Sequence, residues 1–359
     1  MSYGLIIVNE KPSPTFNVGD YIQALAAMQF LPTGTAPFLL ERDNLSGFHR
    51  ENERIKAIMN GWWMAKPKNF PPDESIFPLY RSFHLRPRIE EVFFSEETIT
   101  HLQRYQPIGC RDISTARMML THGIKAYFSG CLTLTLGQMY QHQSEQTSPI
   151  YVVDPFVGKF VSKDLLQSIN IMLRCILAVF IKGKIVCKIR SRIKETCNNA
   201  RQGFDLWLYS TKICAIYSSV IGTDVLINGI YRTHILPSER YKSHEERLDT
   251  ARHFLYEYSG ARFVLTSRIH CGLPCLGIGT PVILVAAPVM FRSGRLEGII
   301  DLFRSAIIKN GKCILNRKDF GLKRIDKHYN LSNKDKHMKF ANELISDCRK
   351  FFEEESICC

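Results

Sequence analysis

The first half of the chain alternates short apolar runs with segments of helical spacing. Residues 4–8 (GLIIV) have the length of a buried strand, and they lead through a proline-containing loop to 19–31 (GDYIQALAAMQFL). There Ile22, Leu25, Ala26 and Phe30 keep helical spacing, and Asp20 is expected to cap the helix. Further apolar runs stand at 37–40, 55–63 and 80–85. QPIGCRD (106–112) then opens onto a helix-like 114–123 that ends in glycine, and 125–136 is the next apolar run. Such alternation predicts a largely parallel sheet with helices on both faces. Residues 137–149 are polar and aperiodic and read as a linker. The pattern restarts at 150–154 (IYVVD), with 224–229 (DVLING), 261–265 (ARFVL) and 281–285 (PVILV) as further strands. Residues 243–260 read as a helix ending at Gly260, and 339–352 as a closing helix whose packing partner the sequence does not reveal. The expected architecture is α/β, with domains at 1–149 and 150–359 and a cleft between them.

One stretch concentrates the chemistry. In TSRIHCGLPCLGIGTPVILV (266–285), an arginine and a histidine end one strand-like run, and only a short helix fits before the next. In an extended segment Arg268 and His270 would share a face. A strand end that meets a helix start gathers backbone N–H groups and favours an anion, and in open α/β sheets ligands sit at the carboxyl ends of strands. The stretch reads as half of an anion pocket.

Composition widens and then narrows this picture. The 359 residues are 45% hydrophobic, enough for two cores, and 47 basic against 34 acidic residues give +13. Such a charge favours phosphorylated metabolites, anionic membrane surfaces or nucleic acid without choosing among them. No nucleic-acid motif or basic stripe interleaved with exposed aromatics is present, so a nucleic-acid partner is not expected. Twelve cysteines lie scattered without C-x2-C pairs, a pattern of reduced thiols that fits the cytoplasm, and the N-terminus lacks the features of a signal peptide. Cys271 and Cys275 read as small packing residues, and no metal site is expected. The terminal Cys358-Cys359 pair reads as a tail. No run reaches the roughly 18 apolar residues of a membrane span. Residues 169–194, apolar and then basic, are open to two readings: a buried helix with a solvated basic face, or an amphipathic segment on the anionic inner face of the cell membrane.

Four stretches taken together, NVGDYIQALAA, GCRDISTARMMLTHGIKAYFSGCLTLTL, TSRIHCGLPCLGIGTPVI and GRLEGI, resemble the polysaccharide pyruvyl transferase family. The resemblance runs from about residue 16 to about residue 301, with little match over 155–220. It implies two Rossmann-like domains arranged as in GT-B glycosyltransferases. The implied enzyme moves the enolpyruvyl unit of phosphoenolpyruvate, its donor substrate, onto a sugar as a ketal, and uses no cofactor. The implied acceptor is a galactose-type hexose of a bacterial surface or capsular repeat unit, carried as a lipid-linked oligosaccharide. By the same resemblance Arg268 and Ile269 hold the donor and His270 trades protons. Arg295 in GRLEGI stands where relatives carry lysine, with Arg292 as the competing match, and Arg111 reaches in from the opposite domain. Asn17 and Asp20 belong to Asn-x-Gly-Asp, with Asp20 the candidate base. His84, His234 and His244 are further cleft candidates. The alternative is a GT-B glycosyltransferase using a nucleotide sugar, with Glu297 as a weak candidate for the ribose.

Overall fold

The computed structural model describes residues 2–8, 13–63, 65–145, 147–158, 165–199, 201–321 and 324–354; the Cys358-Cys359 pair lies outside them. The first half runs β1 (Ser2–Ile7), β2 (Thr15–Asn17), α1 (Val18–Met28), β3 (Phe38–Glu41), β4 (Ile55–Ile58), β5 (Gly61–Trp63), β6 (Ile76–Leu79) and β7 (Phe83–Leu85). It continues through α2 (Glu90–Phe93), α3 (Glu96–Arg104), β8 (Ile108–Cys110), α4 (Ile113–Thr121) and β9 (Ala126–Phe128). The second half runs β10 (Ile150–Val153), α5 (Leu165–Thr196), α6 (Gly203–Tyr217), α7 (Thr223–Asn228), β11 (Ile230–Arg232), β12 (Ile235–Pro237), α8 (His244–Ser259), β13 (Phe263–Thr266) and α9 (Ile269–Ile278). Then follow β14 (Val282–Ala286), α10 (Pro288–Arg292), β15 (Arg304–Lys309), β16 (Lys312–Leu315), α11 (Arg317–Phe320) and α12 (Lys336–Glu353).

The first-half strands form two parallel sheets, β3-β1-β4-β6 and β5-β7-β8-β9. Only Met59 and Asn60 separate β4 from β5. Met59 N donates to Leu79 O at 2.8 Å and Gly61 N to Ser82 O at 3.3 Å, so the pairing carries across the bend and the two sheets continue as one bent layer. The second-half strands make one sheet, β11-β10-β13-β14-β15-β16, parallel except at the β15-β16 edge. Strands β13 (FVLT) and β14 (VILVA) are buried along their whole length, as a parallel sheet covered on both faces requires.

Three expectations need correction. Residues 224–229 are not a strand: Thr223–Asn228 is helix α7, and the strand begins at Ile230. A short apolar run does not by itself distinguish helix from strand, and here a Cβ on Gly229 would collide with the Val225 carbonyl of α7 and press on the Val152 side chain of β10. The run 125–136 is split, because Gly130 (φ 74) turns the chain after β9 and 132–138 winds into a 3-10 turn. Asp20 does not cap α1; Asn17 does, its side chain accepting from Gly19 N at 3.2 Å, and Asp20 sits in the first turn.

The two halves interlock. Strand β2 pairs antiparallel with β12, placing Asn17 opposite Ile235. The 3-10 turn packs on α9 so tightly that a Cβ on Gly277 would collide with the Leu134 carbonyl. Helix α12 returns to the first-half sheets, where Phe351 stacks on Phe77, Arg81 pairs with Asp347 at 2.6 Å and Lys56 Nζ donates to Phe351 O at 2.7 Å.

Candidate active site

The carboxyl ends of the parallel strands meet where the halves face each other. At the end of β13, Thr266 Oγ1 donates to Val153 O and accepts from Arg268 N, both at 3.0 Å, which fixes the turn into α9. The strand has already ended, so Arg268 and His270 do not share an extended face as expected. Arg268 is the N-cap residue, and His270 lies in an irregular first turn (φ −84, ψ 17). Arg268 Nε donates to Asp154 at the end of β10 at 2.8 Å, and its side chain stays partly open to solvent. His270 is buried against α1, whose Gly19 leaves no room for a Cβ (2.9 Å from His270 Cβ). Ile269 packs into the core.

Arg111, fully buried, follows β8. Its neighbour Asp112 accepts from the Thr115 amide at 3.0 Å as the N-cap of α4, lies 3.3 Å from Arg111 Nη2 and 2.5 Å from His84 Nδ1. Burial would raise the Asp112 carboxyl, but His84, Arg111 and the Thr115 amide outweigh it and hold it down to about 2. His84, on β7, is pushed down to about 4 by burial and Arg111 despite Asp112. It is therefore a neutral imidazole whose Nδ1–H is engaged by a carboxylate, which leaves Nε2 as an acceptor. His270 falls well below the ordinary histidine value through burial and the charges of Arg111 and Arg295.

Arg295 arrives on the GRLEG loop. Gly294 (φ 67) and Gly298 (φ 81) let that loop lie against Ser114 and Ile113, and Glu297 O accepts from Ile113 N at 3.1 Å. Burial, Arg111 and Arg86 push the Arg295 guanidinium down to about 10, against the pull of Asp112 and Asp20. Arg292 instead ends α10 with its side chain exposed. Asp20 is held above the usual carboxylate range by burial, opposed by Arg42, Asn17, Arg295 and Arg268. Gln23 Nε2 donates to it at 3.3 Å, and a narrow pocket lined by Asp20, Gln23, Arg42, Asn60 and Trp62 opens beside it.

Two further cations were missed in the sequence. Arg42 follows β3 and Arg86 follows β7, and both stand over the Trp62 ring, at 4.9 and 3.8 Å from its centroid. Two more of the candidate histidines have partners of their own. His234 is fully buried, with Nε2 2.7 Å from Tyr258 OH; its backbone N donates to Asp154 at 3.0 Å and its carbonyl accepts from Val18 N at 2.8 Å, so it braces the entry to α1. His244 opens α8 with Nδ1 2.9 Å from Tyr21 OH, beside Arg247.

Among the described residues, Arg42 Nε, Arg111 Nε and Nη1, Arg295 Nε, His84 Nε2 and His270 Nε2 are buried without a hydrogen-bond partner. Buried N–H groups without partners and guanidiniums gathered in one place are both costly. For the arginines, an anion with several acceptor oxygens relieves both at once, whereas His84 Nε2, itself an acceptor, calls for a hydroxyl donor instead. No group of three His, Cys, Asp or Glu among the described residues is placed to hold a metal ion.

No curated protein and no solved structure matches the chain. The sequence model of the polysaccharide pyruvyl transferase family matches residues 85–287, more than half of the 359, and that span carries Arg86, Arg111, Asp112, Arg268 and His270. With the anion-seeking cluster built largely from that span, the chain belongs to the polysaccharide pyruvyl transferase family.

Proposed function

We propose that this pyruvyl transferase takes phosphoenolpyruvate as donor and sets its enolpyruvyl carbon, as a ketal, on a galactose-type hexose of a bacterial surface or capsular repeat unit carried on a lipid diphosphate. The observation behind this reading is the gathering of Arg111, Arg295 and Arg268 around His270 and Asp20, with buried N–H groups lacking partners among the described residues. Phosphoenolpyruvate carries a phosphate and a carboxylate on a three-carbon frame, and arginine forks pair bidentately with either. In the same reading, 1–149 and 150–359 are two Rossmann-like domains arranged as in GT-B enzymes, the donor lies between them, and no cofactor takes part.

The electrostatics suggest how the proton moves. In the free protein, burial and two arginines keep His270 neutral. A bound polyanion offsets those arginines and raises the imidazole, so His270 takes up a proton as the donor enters. It passes that proton to the methylene carbon, which becomes a methyl group and leaves the adjacent carbon cationic. A sugar hydroxyl adds there and yields its proton to Asp20, whose raised basicity suits the task. The bond to phosphate then breaks and phosphate leaves toward Arg111 and Arg295. The neighbouring hydroxyl closes the ketal, and its proton departs with the phosphate. His84, oriented by Asp112, offers Nε2 as an acceptor beside Arg111.

Glu297, the ribose partner that a nucleotide-sugar glycosyltransferase would use, is instead paired with Arg117 at 3.1 Å. Purified protein given phosphoenolpyruvate and a galactoside should release phosphate and convert the sugar to a pyruvate ketal detectable by mass spectrometry. Phosphoenolpyruvate should also raise the melting temperature more than nucleotide sugars do, since a ligand that binds only the native state stabilises it by mass action. Stabilisation by a nucleotide sugar alone, without phosphate release, would overturn the reading in favour of the glycosyltransferase.

A further inference from the structure

Helix α5 is the first and longest of three helices between β10 and β11, and its two faces are both apolar over the first half. The inner face, with Ile171, Cys175, Ala178, Val186, Ile189 and Ile193, is buried. On the outer face Met172, Leu173, Ile176, Leu177, Phe180 and Ile181 are exposed, Phe180 by 85% and Ile181 by 73%. Their spacing makes one continuous stripe. At Lys182 the backbone leaves helical geometry (φ −124, ψ 24) and the lysine turns in to donate to Ser218 Oγ at 2.8 Å. Beyond this kink the outer face becomes basic, with Lys184, Lys188, Arg190 and Lys194 exposed. The whole helix carries seven Lys or Arg and a single glutamate.

Exposed apolar residues on a water-facing surface are normally scattered, and a continuous stripe marks an interaction surface. Two features identify the occupant. An apolar stripe passing into clustered cations is the pattern of a helix lying in a membrane interface. A second copy would set like charge against like charge on a chain whose net charge is +13, which disfavours self-association through this face. No helix among the described residues is long and apolar enough to cross a membrane, so α5 would lie along the surface.

We infer that the outer face of α5 is a docking surface for an anionic lipid bilayer, with the six apolar side chains entering the acyl boundary and the lysines and arginines beyond the kink engaging headgroups. The inference stands on α5 alone and does not depend on the donor. It would hold the cleft beside a membrane, where a lipid-linked acceptor resides.

The test uses the full chain and vesicles of phosphatidylcholine, with or without phosphatidylglycerol, in flotation assays. The protein should float with anionic vesicles at low salt, little with neutral ones, and less as salt screens the surface. Lys184→Gln with Lys188→Gln should weaken binding on the order of tenfold to thirtyfold, as expected from removing two cations near an anionic surface. Phe180→Ser with Ile181→Ser should weaken it as well. Both double variants change exposed side chains and should keep the wild-type melting temperature. Equal flotation with neutral and anionic vesicles, no flotation at all, or binding unchanged in both variants would overturn the inference. So would a dimer in sedimentation velocity that Phe180→Ser with Ile181→Ser dissolves, since that assigns the stripe to a second copy.

Discussion

Arg268 and His270 are two positions apart and have different surroundings, so substitutions should separate grip from chemistry. Arg268 is already aligned by Asp154 through Nε at 2.8 Å, which aims the rest of the fork. Arg268→Lys keeps the charge and loses both the fork and the Asp154 alignment, so phosphoenolpyruvate binding should weaken about tenfold or more. His270→Gln keeps a hydrogen-bonding side chain of similar size but has no titrating ring. Donor binding should persist while turnover falls on the order of a hundredfold to ten-thousandfold. Calorimetry in two buffers of different ionisation heat gives a sharper measure. Because free His270 is held well below its ordinary value, the wild type at neutral pH should take up a proton on binding the donor, and His270→Gln should not. Undiminished uptake in that variant would remove His270 from the mechanism.

The elements show which parts of the site a reader of the sequence could reach. Arg42 follows β3, Arg86 follows β7, Arg111 follows β8, Asp154 follows β10 and Arg268 follows β13 by two residues. A charged residue at or just past the carboxyl end of a parallel strand is thus the common signal. It was readable at Arg111 and Arg268, and the same rule applied to PFLLER and SFHLR would have found Arg42 and Arg86. What could not be read is non-local. Tyr258 engages the Nε2 of His234, which sits close behind His270, and Tyr21 engages His244, and neither contact has a trace in local spacing. The division of α5 between buried and exposed apolar faces depends likewise on α6 and the sheet packed against it. Glycine placement, by contrast, carries a testable constraint. A methyl group on Gly19 would press on His270 Cβ at 2.9 Å, so Gly19→Ala should displace the imidazole and lower turnover at least tenfold, with a stability loss of about 1–3 kcal/mol from overpacking. Gly183→Ala, which meets open space on α5, should leave turnover unchanged. Equal activity in the two variants would show that α1 does not position His270.

For the molecule as a whole, interlocking of the halves places many charged and titratable groups in one interior, and this should appear in how stability depends on pH. His84 and His101 are each held at about 4, His84 chiefly by burial and Arg111 and His101 chiefly by burial and Arg104, while His270 lies well below its ordinary value. An unfolded chain protonates histidine near pH 6.5, roughly the model-peptide value. Between that value and about 4 the unfolded state therefore binds more protons than the folded one, and stability falls as the pH falls through this window. Asp112, held at about 2, adds its own loss only at lower pH, below the ordinary carboxylate value. Asp20, whose carboxyl is raised, works in the opposite sense and offsets part of the change. The ligand-free protein should thus melt at progressively lower temperature from neutral pH down through the histidine window. Saturating phosphoenolpyruvate should both raise the melting temperature and flatten that slope, because a bound anion lets His270 protonate in the folded state and removes its share of the loss. Differential scanning calorimetry across the window, with and without donor, measures both effects. A slope that is the same with and without phosphoenolpyruvate would mean that the anion does not sit beside His270, even if it stabilises the protein elsewhere.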